Sequence, residues 1–176
     1  RAFKNVAVEG VILGTDGRKM SKNYGNYPDP REMLLTYGGD ALRLYLMGSP
    51  VMRGEDILIS EEQYRNQVKG MMLILWNVYN FFISYSNVDK WEVKSHPFES
   101  FRAGKSKVKS PNVLDRWVLS LNNRLISDVT KALEKYDTVE AIAKIQEFVN
   151  LLSTWYIRRS RDRVGPTADN PKDKNF

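Results

Sequence analysis

The last third of the chain repeats apolar residues every three or four positions, and this pattern constrains the fold more than any other feature. The first set is Leu114, Trp117, Leu121, Leu125, Val129, Ala132 and Tyr136, and the second is Val139, Ile142, Ile145, Val149, Leu152 and Tyr156. Each spacing places the apolar side chains on one face of a helix. Because only a short turn separates the sets, we predict two helices that pack antiparallel. Pro111 or Asn112 starts the first, and Asp137 or Thr138 caps the second.

A third helix is predicted in the middle of the chain. Ser60 and Gln63 form a capping box, and the helix should run from Glu61 to about Tyr85. Its apolar set is Val68, Met71, Met72, Leu75, Val78, Tyr79 and Phe82. The stripe is broad, so we expect this helix to be packed on more than one side, with its aromatic residues in the core rather than in a ligand groove.

The first residues combine a strand with a turn. Phe3 to Leu13 is rich in β-branched and other apolar residues and predicts a strand. Thr15-Asp16-Gly17 is a hairpin-turn signal, so Arg18 to Ser21 should begin a returning arm or loop.

Two short helices follow the turn. Asp29 is placed to cap a helix with Pro30 at its first position, running to Tyr37. Gly38-Gly39 ends that helix, and Asp40 is expected to cap a second helix that runs to Met47. The chain is therefore predicted to be mostly α, with a small α/β piece over residues 1–59 and an antiparallel helical bundle over residues 60–176. An irregular connection is expected near 87–110.

Composition excludes several classes of site. The 176 residues contain no cysteine and one histidine, His96, so neither disulfides nor a histidine metal cluster can form, and no metal site is predicted. No stretch is long and apolar enough to span a bilayer, so no membrane partner and a cytoplasmic location are expected.

The net charge of +6 fits a nucleic-acid or nucleotide partner without proving one. Because the chain opens without methionine and ends in a polar tail, we expect an excised piece of a longer protein.

The run Gly17 to Lys22 carries the first candidate chemistry. Lys19 and Lys22 bring two flexible ammonium groups close to the hydroxyl of Ser21, with Met20 between them. Such a group suits a polyphosphate whose charge changes during reaction. Without the motifs that follow in the chain, the solvated tip of a hairpin would be the better interpretation of this run.

An arginine-rich run near the end of the chain is the second candidate. Four arginines, Arg158, Arg159, Arg161 and Arg163, follow Trp155 on the predicted last helix. Arginine binds phosphates bidentately, so this helix could contact RNA. Alternatively, some of these arginines pair with acids on neighbouring elements, and one set could do both.

The order of these motifs resembles the isoleucyl-tRNA synthetase family of class I aminoacyl-tRNA synthetases. The matching runs are Gly10-Val11-Ile12-Leu13, Asp16-Gly17-Arg18-Lys19-Met20-Ser21-Lys22, Tyr37-Gly38-Gly39-Asp40-Ala41-Leu42-Arg43, Leu114-Asp115-Arg116-Trp117 and Trp155 to Arg163. The second run is similar to the Lys-Met-Ser-Lys-Ser loop of this class, with Asn23 in place of the last serine. The last run favours the isoleucyl over the valyl and leucyl families.

The resemblance implies the activities of the parent protein. Isoleucine and ATP, with Mg²⁺, would give an adenylate and pyrophosphate, and the acyl group would then pass to tRNA. Lys19 and Lys22 would act on the transition state as catalytic residues, and Lys19, Met20, Ser21 and Lys22 would bind ATP. Arg158, Arg159, Arg161 and Arg163 would bind tRNA. Residues 1–59 would be the end of a Rossmann-type catalytic domain, and residues 60–176 part of an anticodon-binding bundle.

The same resemblance predicts what this chain lacks. Class I synthetases also use a His-X-Gly-His-type element, which a chain with only His96 cannot contain. The chain alone is therefore expected to bind no cofactor and to be inactive. A monomer is favoured. Alternatives are a valyl or leucyl synthetase and a noncatalytic tRNA-binding module; the paired motifs disfavour a plain helical interaction domain.

Overall fold

A computed structural model describes residues 2–88 and 112–164, which form helices and one small parallel sheet. The sheet consists of β1 (Ile12–Leu13) and β2 (Ile57–Leu58). The helices are α1 (Pro30–Tyr37), α2 (Gly39–Met47), α3 (Glu61–Gln67), α4 (Leu73–Val88), α5 (Val113–Glu134), α6 (Thr138–Leu151) and α7 (Arg158–Val164). The predicted fold class, mostly α with a small α/β piece, is confirmed.

Two of the long helices contain a π-helical turn. Val68–Met72 joins α3 to α4, and Leu152–Ile157 joins α6 to α7, so that each pair forms one continuous helical rod. The predicted helix from Glu61 to about Tyr85 is therefore confirmed and extends to Val88. The π turns themselves were not predicted.

Local side-chain caps explain why the helices begin where they do. The carboxylate of Asp29 accepts a hydrogen bond from the Arg31 N–H at 2.8 Å, and Asn112 caps α5 in the same way through the Leu114 N–H at 2.8 Å. Each cap satisfies a backbone donor that the first helical turn leaves unpaired. The Asp29 prediction is confirmed, as is the alternative that placed Asn112 at the start of α5.

The expected cap of α2 is wrong. Gly38 with φ of 84° occupies the N-cap position, and its N–H closes α1 by donating to the Leu34 carbonyl. Glycine adopts this left-handed region without steric cost, so one residue ends α1 and starts α2. Asp40 lies inside the first turn of α2 and pairs with Arg43 at 3.0 Å.

The predicted strand from Phe3 to Leu13 is far too long. Only Ile12–Leu13 lies in a ladder, parallel to Ile57–Leu58 with Ile12 opposite Ile57. A strand needs a partner, and β2 supplies only two residues. The predicted returning arm is confirmed, because Lys19 forms an antiparallel bridge with Leu13.

An aromatic cluster forms the core beneath the sheet. Tyr64 is fully buried, with its ring 5.2 Å from that of Tyr37 and 6.1 Å from that of Tyr45. The Tyr64 hydroxyl donates to the Gly38 carbonyl at 2.8 Å, and the Tyr45 hydroxyl donates to the Leu58 carbonyl at 3.2 Å. These bonds satisfy the polar ends of two buried rings, and they connect α2 to β2 and α3 to the junction between α1 and α2.

The helix pair α5 and α6 packs as predicted, with the apolar faces turned towards each other. Ala132 and Val149 are buried, whereas Leu119, Ile126 and Leu133 on the other side of α5 are exposed. Three assignments of residues to the packed faces are wrong. Tyr136, which lies in the predicted turn with a φ of 62°, is 63% exposed, and Leu75 and Tyr79 of α4 are 44% and 51% exposed instead of being core residues.

A polar joint connects the first 59 residues to the helix pair. Arg53 binds both carboxylate oxygens of Asp137, at 3.0 and 2.9 Å, while Asp137 also caps α6 through the Glu140 N–H. The Thr138 hydroxyl donates to the Met47 carbonyl at 2.8 Å. These contacts hold α2 against the start of α6.

Most of the predicted connection near 87–110, with its basic run, and the polar tail from 165 lie outside the described residues.

Candidate functional site

The lysine loop, residues 14–26, leaves the sheet at β1 and returns beside it. The Gly14 N–H donates to the Arg18 carbonyl at 2.7 Å, and the Gly17 N–H donates to the Gly14 carbonyl at 3.0 Å. Gly17 has a φ of 78°, which side chains disfavour. The predicted Asp16-Gly17 turn therefore delivers Arg18 and Lys19 directly beside β1.

Asn26 fills the inside of this loop. It is 7% exposed, and its side-chain oxygen accepts a hydrogen bond from the Ser21 N–H at 3.0 Å. Its side-chain nitrogen donates to Asp16 Oδ1 at 2.8 Å and to the Lys19 carbonyl at 3.3 Å. Its own carbonyl accepts from the Thr15 N–H at 2.8 Å. One buried amide thus links the two limbs of the loop.

Gly14 makes room for that amide. A Cβ atom added at Gly14 would lie 2.4 Å from the Asn26 side-chain nitrogen, closer than any side chain can approach. A larger residue at this position would displace Asn26 from the interior of the loop. The glycine is therefore required by packing, whereas Gly17 is required by backbone conformation.

The four residues expected to bind ATP lie on the outer part of the loop. Lys19 and Lys22 are exposed, and Met20 and Ser21 are half-buried. The Ser21 hydroxyl oxygen accepts from the Asn23 N–H at 3.3 Å, which leaves its own hydrogen able to donate to a ligand. The arrangement presents two ammonium groups to solvent on either side of a hydroxyl, as a polyphosphate site requires.

Arg18 differs from the two lysines, because its charge is used within the loop. Its guanidinium lies 2.8 Å from Asp16 and 4.8 Å from the centre of the Tyr24 ring. The hydrogen bond from Asn26, together with the N–H and the charge of Arg18, holds the pKa of Asp16 below its usual value. Asp16 therefore stays ionised and keeps accepting hydrogen bonds.

Three of the four predicted tRNA-binding arginines are exposed on the last helical segment. Arg158, Arg159 and Arg161 reach solvent, and Arg159 lies 4.4 Å from the centre of the Trp155 ring. Arg161 lies 5.9 Å from the ring of Phe81 in α4. A cation stacked on an aromatic ring is a surface on which nucleic-acid bases and phosphates bind.

Arg163 has different surroundings. It forms a two-point ion pair with Asp115 at the start of α5, with Nη1 3.1 Å from Oδ2, and both side chains are largely buried. The Tyr156 hydroxyl donates to the same carboxylate at 3.0 Å, and burial together with the charge of Asp115 raises the pKa of Tyr156. The alternative foreseen from the sequence, pairing with an acid on a neighbouring element, holds for this arginine.

The sequence patterns did not identify two residues that organise these sites. Asp115 acts through partners 41 and 48 residues away, and Asn26 acts through partners across the loop, so the spacing of residues along one element does not reveal either role. A signal was present for Asn26, since an amide side chain at the end of a polar, glycine-rich loop is suited to satisfying loop backbone groups.

Other kinds of site receive no support in residues 2–88 and 112–164. A cleft of about 200 Å³ between α5 and α6, lined by Leu121, Leu125 and Phe148 among others, shares no residue with the lysine loop. Lys144 on its edge already contacts Glu140 and Glu147. In the part of the chain that the structure describes, no group of three acidic or histidine side chains could hold a metal, and no helix could cross a membrane.

Two protein-family models match the chain. The model for tRNA synthetases class I (I, L, M and V) matches residues 1–58, and the model for the anticodon-binding domain of tRNA ligase matches residues 115–172. The first match contains the lysine loop, and the second contains the arginine-rich segment.

Curated relatives match nearly the whole chain. An isoleucine–tRNA ligase of Treponema denticola is 43% identical over 99% of the chain, and one of Protochlamydia amoebophila is 37% identical over 97%. One of Bdellovibrio bacteriovorus is 43% identical over 90%. The chain spans only 16%, 15% and 14% of these relatives.

A solved structure shares the fold. The Agrobacterium radiobacter K84 agnB2 LeuRS, determined as a ternary complex with tRNA and LeuAMS, superposes with a TM-score of 0.62 at 23% identity. The similarity covers 90% of this chain and 18% of that one. At this identity, the likeness shows the fold alone.

Proposed function

Because this chain belongs to the class I tRNA synthetase family, we propose that it works as part of an isoleucine–tRNA ligase. In this proposal, residues 1–59 supply the loop that handles ATP, and residues 60–176 supply part of the helical bundle that binds tRNA. The complete enzyme joins isoleucine to ATP and then transfers it to tRNA, as a cytoplasmic protein of translation for which a monomer is favoured.

One observation carries the proposal. The chain is 43% identical to an isoleucine–tRNA ligase over 99% of its length, and the lysine loop lies inside that match with Lys19 and Lys22 exposed. A shared fold alone would leave the function open, since one fold supports many chemistries. Extended identity together with an intact, outward-facing cationic loop favours the shared reaction.

The first step transfers an adenylyl group. The isoleucine carboxylate attacks the α-phosphorus of ATP, the bond between that phosphorus and the bridging oxygen to the β-phosphorus breaks, and pyrophosphate leaves with the electron pair. Negative charge shifts towards the leaving group during this step. Cationic groups that bind the charge more strongly in the transition state than in ground-state ATP accelerate it.

The residues of the lysine loop have different roles in this step. Lys19 and Lys22 bring mobile ammonium groups to the phosphates, and Lys22 is the stronger candidate for the transition-state contact. Ser21 donates its hydroxyl hydrogen to a phosphate oxygen. Met20 is half-buried and fixes how the loop lies on its surroundings.

Mg²⁺ enters this proposal only as a companion of ATP. The described residues include no set of carboxylates or histidines that fits such an ion. The ion would therefore reach the site with the ATP phosphates rather than on ligands from these residues.

The transfer step requires tRNA. Arg158, Arg159 and Arg161 are the proposed contacts because they are exposed, and the stack of Arg159 on Trp155 preorganises one of them. Arg163 belongs to the originally predicted set, and we propose that it contributes by holding α7 against α5 through Asp115.

The decisive experiment is amino-acid-dependent ATP–pyrophosphate exchange by the complete enzyme that contains this chain. We expect exchange with isoleucine in preference to valine and leucine, and a fall of about 100-fold or more in kcat for Lys22→Ala, the scale seen when a transition-state donor is removed. Lys131→Ala, an exposed lysine on α5, is the matched control and should leave the rate unchanged.

Two other results would replace the proposal. Preference for valine or leucine would keep the mechanism and identify a sister synthetase. Absence of exchange with every amino acid would favour a noncatalytic tRNA-binding module, in which Lys19 and Lys22 substitutions weaken RNA binding in a salt-dependent way.

A further inference from the structure

The side chain of Asn26 makes more hydrogen bonds inside the lysine loop than any other side chain described there. Each atom of the Asn26 amide group has a partner: the oxygen accepts from the Ser21 N–H, and the two hydrogens are directed at Asp16 and at the carbonyls of Lys19 and Arg18. The partners lie in the segment that contains the proposed ATP-binding side chains. No other loop residue makes contacts of this number and burial in the part of the chain that the structure describes.

We infer that Asn26 is a positioning residue for adenylate formation, which fixes the backbone at Lys19 and Ser21 so that the loop's ammonium and hydroxyl groups meet the ATP phosphates. The inference rests on the proposed function. Asn26 itself is 7% exposed and points into the loop, so it acts through its neighbours rather than on the substrate.

The chemistry of the position requires an amide. A carboxylate has the same shape and could still accept from the Ser21 N–H, but it has no hydrogens to donate. Aspartate at position 26 would face Asp16 Oδ1, now 2.8 Å away, and the Lys19 carbonyl at 3.3 Å with like partial charges. The Asn26 hydrogen bond is also the first cause of the lowered pKa of Asp16, and the substitution removes it.

The kinetic test uses ATP–pyrophosphate exchange by the complete enzyme. Asn26→Ala and Asn26→Asp should each lower kcat by about 100-fold, as a small misplacement of reacting groups does, with the KM for ATP little changed. In the double variant Asn26→Ala/Lys22→Ala, the loss should be clearly smaller than the product of the two single losses, because Asn26→Ala already misplaces the loop that carries Lys22. Asn123→Ala, an exposed asparagine on α5, should behave as wild type.

A reciprocal exchange separates positioning from a general loss of folded enzyme. Asp16→Asn combined with Asn26→Asp restores a donor and an acceptor across the loop and should recover part of the activity that Asn26→Asp loses. Wild-type kinetics for Asn26→Ala would overturn the inference. Multiplied losses in the double variant with Lys22→Ala would overturn it too, since independent damage multiplies.

Limited trypsin digestion measures how well ordered the lysine loop is, without an activity assay. Trypsin cuts after lysine and arginine, so Asn26→Ala and Asn26→Asp should be cleaved after Arg18, Lys19 and Lys22 faster than wild type, with cleavage elsewhere unchanged. Equal cleavage would show that Asn26 does not order the loop. If wild-type enzyme gave no isoleucine-dependent exchange, the proposed function would fail while this digestion still decided the role of Asn26.

Discussion

Arg158 and Arg163 lie on the same short helix, yet their side chains meet different surroundings. Arg158 reaches solvent, whereas the side chain of Arg163 is 16% exposed against a carboxylate that is 14% exposed. An arginine-rich run is therefore not a uniform surface. Exposure separates the residues available to a ligand from one that holds α7 to α5.

Arg163→Ala should strongly destabilise the protein. The substitution leaves the carboxylate of Asp115 largely buried with its main positive partner gone, and breaking a buried pair in this way costs about 3–5 kcal/mol. Arg158→Ala, the exposed match, should change the free energy of unfolding by no more than about 0.5 kcal/mol. Urea denaturation followed by circular dichroism measures both, and equal effects would contradict a structural role for Arg163.

Asp137 performs two tasks at the start of α6. It caps the helix through the Glu140 N–H and receives the guanidinium of Arg53 from the other part of the molecule. The pKa of Asp137 is lowered, first by the backbone hydrogen bond and then by Arg53. A lowered pKa means that this carboxylate stabilises the fold above its unfolded pKa, near 3.8, and loses that effect as the pH falls through the folded value.

Substitutions at Asp137 should separate the cap from the ion pair. Asp137→Ala removes both and should cost about 1–2 kcal/mol, whereas Asp137→Asn keeps a good cap and should cost about 1 kcal/mol at most, because the pair is partly exposed. Urea unfolding at pH 7 measures these differences. Below about pH 4 the difference between wild type and Asp137→Asn should shrink; a constant difference would show that charge has no part in it.

Helix boundaries could be predicted because their causes are local. Asp29, Ser60, Asn112 and Asp137 each cap a helix through a backbone N–H two or three residues away. The cap of α2 was misassigned because Gly38 serves two helices at once. The strand could not be delimited from its own residues, since its length is set by a partner that appears only at Ile57.

The candidate site divides in the same way. The outward position of Lys19 and Lys22 follows from a turn that the sequence marks, whereas the interior position of Asn26 follows from contacts across the loop. The same holds for Arg163, whose partner Asp115 lies on a helix that begins some fifty residues earlier. Spacing along one helix shows which residues are neighbours on that helix, and nothing about what packs against them.

At the scale of the whole molecule, the two matched regions are joined by contacts as well as by chain. Arg53 of the first region binds Asp137, the N-cap of α6, and the Met47 carbonyl accepts from Thr138, the first residue of that helix. The region that carries the lysine loop therefore contacts the helix that leads into the arginine-rich segment.

This chain alone should not catalyse isoleucine-dependent ATP–pyrophosphate exchange. It contains a single histidine, so it cannot hold the His-X-Gly-His-type element that the resemblance to class I synthetases implies for the complete enzyme. The complete enzyme, assayed beside the 176-residue chain, provides the positive control. Exchange by the chain above a Lys22→Ala background would contradict the prediction and show that the loop suffices.

The parallel sheet pairs only two residues of β1 with two residues of β2. The segment between these strands contains the lysine loop, α1 and α2, so this short pairing is what closes that segment into a loop of chain. The Ile57 N–H donates to the Val11 carbonyl, and the Ile59 N–H donates to the Leu13 carbonyl, on the strand from which the loop departs. Separating β1 from β2 exposes little apolar surface, whereas melting α2 and α3 would expose the ring of Tyr64. We therefore expect the pairing of β1 with β2 to open before α2 and α3 melt, which would free the root of the loop while the aromatic core beneath it stays packed.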